Sequence, residues 1–121
     1  MKVLVCGTRQ WANKELIRQT FIEQLPPHYN TLIHGAARGA DTLASEVARE
    51  GTQFSAIMAF PAKWKKYGKR AGYIRNAEML GIGKPELVIA FWDGKSPGTK
   101  MMIELARAAK VKVVVIEEPK K

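Results

Sequence analysis

Five short apolar runs, rich in Val and Ile, alternate along this chain with stretches of helical period. The runs are Lys2–Cys6, Thr31–Gly35, Gln53–Ala59, Glu86–Trp92 and Val111–Glu117. Several are apolar without a break, the pattern of strands covered on both faces. Between them, Lys14–Leu25 carries Leu16, Ile17, Phe21 and Leu25 on one stripe and stops at Pro26-Pro27. Asp41–Glu50 carries Leu43, Ala44 and Val47 and stops at Gly51. Lys69–Leu80 and Pro97–Lys110 complete the set, the last with Met101, Met102, Leu105 and Ala109 expected to face inward. Strand–helix–strand units cross over right-handed and return parallel, which leaves few topologies. The expected fold is α/β: a single Rossmann-like domain over 1–121, with a doubly wound, mostly parallel five-stranded sheet and helices on both faces. Residues 118–121 are expected to be a frayed tail, and Phe60–Arg70 an irregular loop flanking a site.

Composition narrows the function. The 121 residues suit one domain with a real core. No apolar run approaches the ~20 residues that span a bilayer, so no membrane partner is expected. The amino terminus lacks the long apolar stretch of a signal peptide. A single cysteine, Cys6, fits a reducing, cytoplasmic setting and reads as inert core. Two histidines, His28 and His34, with that one cysteine supply too few soft ligands for zinc, and no metal is expected. No Ser/His/Asp set has supporting spacing. Net charge is +9, from 20 Lys plus Arg against 11 acids, which favours anionic partners. The segment Lys63–Arg75 holds six cations and no acid, and a second cluster comprises Lys110, Lys112, Lys120 and Lys121.

In a parallel sheet every strand-to-helix loop emerges at one edge, and ligands bind there where strand order reverses. Four such loops are rich in Gly, hydroxyl or basic residues. In the fourth, Asp93–Thr99, Ser96 suits the N-cap, Pro97 the first helical position, and Gly98 leaves the backbone open. Free N–H groups at the positive end of a helix dipole make a phosphate site, which Thr99 and Lys95 would reinforce. Ser-Pro-Gly also serves an ordinary capped helix. The second loop, Gly35–Asp41, is expected to repeat the device with Gly35, Ala36 and Gly39 giving backbone access, Arg38 reaching phosphate and Asp41 taking ribose hydroxyls. It is neither a Walker A loop nor the dinucleotide fingerprint. The first loop, Gly7–Trp11, offers Gly7 for backbone access, the Thr8 hydroxyl and Arg9 beside the reversal point, with a plain turn at Gly7 as the alternative. Trp11 and Trp64 are candidates for stacking on a base, against core packing as the plain alternative. Arg75 and Met79 share a helix face, with Asn76 beside them.

Taken together, "VLVCGTRQW", "HGAARGADTLASEVA", "AGYIRNAEML" and "ELVIAFWDGKSPGT" closely resemble the YspA-like (cpYpsA-related) branch of the SLOG superfamily, over about Lys2 to Val115. The resemblance implies a Rossmann-like sheet that binds nucleotides or nucleotide-derived small molecules. Two related families imply different roles. The Lonely guy phosphoribohydrolases cleave the N-glycosidic bond of nucleoside monophosphates. Arg75, Met79, Gly98 and Thr99 match their signature, while Met102 stands where their catalytic Glu belongs. Glu104 lies roughly 200° around the helix from that position. Under this reading Arg75 and Asp41 are the candidate catalytic residues, with Asp93 as another group to polarise ribose or water. The DNA-processing protein A family shares a stretch like "HGAARGADTLA" and binds single-stranded DNA, a use for the positive charge and the tryptophans. Three functions follow: a sensor or sequestering module for an AMP- or ADP-ribose-like ligand, an N-glycosidic hydrolase with an altered acid, or a single-strand nucleic-acid binder. No cofactor is required beyond the ligand, and a homodimer is expected by analogy with relatives that pair through helices.

Overall fold

The computed structural model describes residues 1–118. Most of the expected tail, including Lys120 and Lys121, lies outside the described residues. The strands are β1 (Lys2–Gly7), β2 (Asn30–His34), β3 (Phe54–Ala59), β4 (Leu87–Phe91) and β5 (Lys112–Ile116). They form one sheet in the order β3-β2-β1-β4-β5, and every pairing is parallel. The chain steps outward from β1 to β3, then crosses back to lay β4 along the other side of β1. Strand order therefore reverses between β1 and β4, and the loops leaving those two strands flank the reversal.

Helices α1 (Lys14–Gln24) and α2 (Ala40–Glu50) cover one face of the sheet. Ile17, Phe21 and Leu25 pack there with Ala44 and Val47 against Val3, Val5 and Ile89. Asn13 opens α1, its side-chain oxygen accepting from the Leu16 amide at 3.0 Å, and the turn closes at Leu25 before the two prolines. The opposite face is covered by α4 (Ala71–Gly81) and α5 (Pro97–Ala108), where Met79, Met102 and Ile103 meet Leu4, Val88 and Ala90.

The structure corrects three expectations. The strands β1 and β4 are sealed on both faces, but the edge strands β3 and β5 keep half-exposed residues because only one neighbour covers them. The inward face of α5 is Thr99, Met102, Ile103 and Ala106, one helical stripe; Met101 and Leu105 sit at its margin and Ala109 is exposed. The segment Phe60–Arg70 is not simply irregular: Trp64–Tyr67 forms a single-turn helix α3 and Gly68–Arg70 a 3-10 turn, so the helix expected from Lys69 starts at Ala71.

Phe21 is fully buried and its ring meets Phe54 edge-on, 5.0 Å between centroids. Phe21→Ala should cost about 3–5 kcal/mol, read as a lower midpoint in urea unfolding without a change of slope.

Candidate functional site

The loops after β1 and β4 are bound together through Thr8. Its amide donates to the Phe91 carbonyl at 2.9 Å, and its carbonyl accepts from the Trp11 amide at 3.1 Å and the Ala40 amide at 3.4 Å. Its hydroxyl oxygen accepts from the Asp93 amide at 3.0 Å and from the Ser96 hydroxyl at 3.2 Å. Thr8 was expected to touch ligand; it is buried and spent on joining three segments instead.

Asp93 is committed in the same way. One carboxylate oxygen accepts from the Lys95 and Ser96 amides, each at 2.8 Å, which closes a tight turn through Gly94 at φ +80°. Those amides hold the Asp93 carboxyl below its ordinary range. It is a turn-former, not the expected group for ribose or water. Trp92 Nε1 donates to the Ser96 carbonyl at 3.1 Å from the other side. The result is a fixed helix start with an unusual property. Ser96 occupies the N-cap, but its side chain makes no cap hydrogen bond because it turns to Thr8. Pro97 has no N–H, and the Gly98 and Thr99 amides find no acceptor among the described residues. A Cβ on Gly98 would meet open space.

The loop after β2 does the reverse. Asp41 Oδ2 accepts from the Gly35 amide at 2.9 Å and the Ala37 amide at 3.3 Å, and His34 Nδ1 accepts from the Ala36 amide at 2.9 Å. The amides expected to cradle a phosphate are turned inward onto the protein's own carboxylate and imidazole. Gly35 and Gly39 do not give ligand access either. A Cβ on Gly35 would strike the Arg75 guanidinium, and Gly39, at φ +75°, packs against the Thr8 and Arg9 carbonyls. Ala36 and Arg38 are exposed and lie off the cleft, as does Lys95.

The open helix start faces a cleft of about 590 Å³, within the range of small-molecule sites. Of the expected residues, Gly7, Arg9, Asp41, Arg75, Asn76, Ser96, Gly98, Thr99 and Trp64 line it. Arg75 reaches in from α4. Its Nε donates to Asn76 Oδ1 at 2.9 Å and one Nη1 hydrogen bonds the Gly35 carbonyl, which leaves further donors free. Burial weakens its charged form and the Asp41 carboxylate strengthens it. Asp41 is the one carboxylate among the described cleft residues, and burial raises its pKa to about 6. Its Oδ1 makes no hydrogen bond among the described residues. Cys6 touches the cleft floor as well, with its thiol pushed well above the ordinary range by burial.

Trp11 is not a stacking surface. It is 6% exposed, with its ring 5.4 Å from that of Phe91 in the core. Gln10, Lys69, Tyr73 and Met101 also line the cleft and were not anticipated. Lys69 lay within a recognised basic run and Gln10 within the first loop; Tyr73 and Met101 reach this edge only through the fold. Met102, at the position of the Lonely guy glutamate, is 1% exposed in the core, and Glu104 lies off the cleft, 3.9 Å from Lys100 on the outer surface.

The sequence profile of the YspA, cpYpsA-related SLOG family matches residues 1–67, the part that carries the first two of these loops. The chain belongs to this family. A curated relative, the Gene 61 protein of Mycobacterium phage D29, is 32% identical over 119 residues, covering 93% of this chain and 94% of the phage protein. SLOG membership suggests nucleotide-related binding or processing and leaves the ligand unnamed. No helix is long and apolar enough to cross a membrane among the described residues.

Two outcomes test this geometry. Gly39→Ala should destabilise the fold by about 2 kcal/mol or more, since it combines a positive φ with a collision against backbone, whereas Gly98→Ala should be neutral or slightly stabilising in the same urea titration. The folded pKa of Asp41, about 6, lies above its ordinary 3.8, so the native state holds this proton more tightly than the unfolded chain. Its favourable contribution is complete below pH ~4 and is lost as pH rises through about 6. Relative to Asp41→Asn, the unfolding free energy of the unmodified protein should therefore fall by about 2 kcal/mol between pH 4 and 7. A pH-independent difference would contradict the burial of that carboxyl.

Proposed function

We propose that the chain binds a phosphorylated nucleoside or a nucleotide-derived small molecule, of the AMP or ADP-ribose kind, as a sensor or sequestering module. The observation that carries this reading is the uncapped start of α5, whose Gly98 and Thr99 amides are unpaired and open onto a basic cleft. Arg9, Lys69 and Arg75 supply the countercharge. The fixed turn at Asp93–Ser96 means that little ordering remains to be done when an anion arrives. The ligand needs no further cofactor. In this reading the chain works in the cytoplasm, as a homodimer.

One observation favours a second reading, hydrolysis of the N-glycosidic bond of a nucleoside monophosphate. Asp41, with a pKa of about 6 and one oxygen without a partner, lines the same cleft as Arg75. In its protonated form it would give its proton to the base as the C–N bond breaks, while water adds to the anomeric carbon and loses a proton to solvent, from which the carboxylate is reprotonated. Binding without turnover is the better supported, because the helical position that carries the hydrolase glutamate holds a buried methionine here.

Isothermal titration with AMP, ADP-ribose and NAD tests both. At least one should bind the unmodified protein. Gly98→Val, which fills open space over the free amides, should weaken binding at least tenfold without lowering the melting temperature, and Arg75→Ala should weaken it as well. Unchanged affinity in Gly98→Val would overturn the phosphate assignment. Free adenine released from AMP, and abolished in Asp41→Asn, would select the hydrolase.

A further inference from the structure

One wall of the cleft plays no part in holding phosphate. Trp64, the first residue of α3, and Tyr73, in the first turn of α4, both line it next to Lys69 and Arg75. They are 52% and 54% exposed, in contrast to Trp11 in the core. The other large exposed hydrophobic side chains, such as Ile22, Tyr29 and Ile82, lie away from the cleft. Two wet aromatic rings are thus gathered at the cationic cleft.

Their position is built. Gly72 carries no side chain between them, and a Cβ there would stand 3.6 Å from Trp64 Cη2, so the far edge of the indole rests against the start of α4. The 3-10 turn Gly68–Arg70 joins the two elements directly and returns α3 onto α4. Tyr73 and Pro97 also share the wall of the neighbouring α4–α5 groove, which sets this tyrosine beside the first residue of α5. A ligand whose phosphate sits on the Gly98 and Thr99 amides therefore has an aromatic surface within the same cleft. A flat heterocycle is the chemical group that gains most from it, since each base presents an apolar π-face that stacks on indole or phenol. A bare sugar phosphate would leave both rings in water.

We propose that Trp64 and Tyr73 form a base-binding subsite, so that the ligand class is a nucleotide with its aromatic base in place and not a phosphosugar. This rests on the reading of the α5 start as the phosphate site. Stacking is tolerant of base identity, so the pair selects for the presence of a base more than for one base over another.

The test compares AMP with ribose 5-phosphate by isothermal titration on the unmodified protein, Trp64→Ala, Trp64→Phe and Tyr73→Ala. AMP should bind the unmodified protein at least tenfold tighter than ribose 5-phosphate. Trp64→Ala should weaken AMP at least tenfold and leave ribose 5-phosphate unchanged, with Tyr73→Ala acting in the same direction. Trp64→Phe should retain most of the AMP affinity yet lose the quenching of tryptophan fluorescence that AMP causes. Equal affinity for the two ligands would overturn the subsite and leave the phosphate reading standing, as would a Trp64→Ala loss that is the same for both. A loss in Trp64→Ala confined to single-stranded oligonucleotides, with AMP unaffected, would also overturn it. Failure of AMP and ribose 5-phosphate alike to bind the unmodified protein would overturn this inference, and the phosphate reading would fall with it only if ADP-ribose and NAD also failed to bind.

Discussion

Thr8 holds the functional edge of the molecule together. It stands just beyond the central strand β1, where strand order reverses, and its three polar groups each bind a different segment: β4 at Phe91, the start of α2 at Ala40, and the loop before α5 at Asp93 and Ser96. Because Thr8 itself is buried, water has little access to its side of these bonds. The bond to Ser96 has a second effect. It draws away the side chain that would otherwise cap α5, so the same interaction that fixes the loop also leaves the helix dipole and two amides unneutralised. Order at the rim and vacancy at the helix start thus have one cause.

The loops after β2 and β4 look like two copies of one anion-binding device, and the structure makes them opposites. At Gly35–Asp41 the anion is built in: Asp41 takes the loop amides, Arg75 takes the Gly35 carbonyl, and the glycines serve close packing of one loop on another. At Ser96–Thr99 the carboxylate of the same loop, Asp93, points back into its own turn. A rim with both loops open would leave two unneutralised sets of donors and a mobile Arg75. Filling one of them stiffens the wall against which the other works, and it explains why Asp41 tolerates a buried position despite the cost to its charged form.

The sequence revealed the architecture because period and composition agree: β1 and β4 read as unbroken apolar runs, and helices α1 and α2 carry clear stripes and stop signals. It anticipated that Gly7, Arg75 and Gly98 would lie along one cleft, because parallel strands send the loops that follow them to one edge. It misjudged residues whose roles depend on which way a side chain turns. Thr8 and Asp93 are polar loop residues that bond to the protein, and nothing in their spacing separates that from bonding a ligand. Trp11 and Trp64 are the same residue type near the same edge, yet one fills the gap beside Phe91 and the other stays in solvent. Tyr73 and Met101 were missed because cleft walls are made by packing α4 beside α5, a long-range relation that local pattern does not encode. The rotation of α5 by part of a turn escaped for that reason too.

Charge placement gives the same edge its sign. Acids on α1 and α2 meet cations there: Glu46 and Glu50 take Lys14, and Glu15 and Glu50 take Arg18, none of which lines the cleft. No cation between Lys63 and Arg75 has such a partner among the described residues. The excess of +9 is therefore not spread evenly: ion pairing neutralises the α1–α2 side and leaves an uncompensated positive field around α3 and the mouth of the cleft. At physiological salt such a field reaches about 8 Å, enough to concentrate an anion at the mouth but not to bind it. Under the proposed reading, binding then falls to directed donors, the Gly98 and Thr99 amides with Arg75, which the fold leaves facing the cleft. In that role the exposed lysines would set how often a ligand arrives, and the helix start how long it stays.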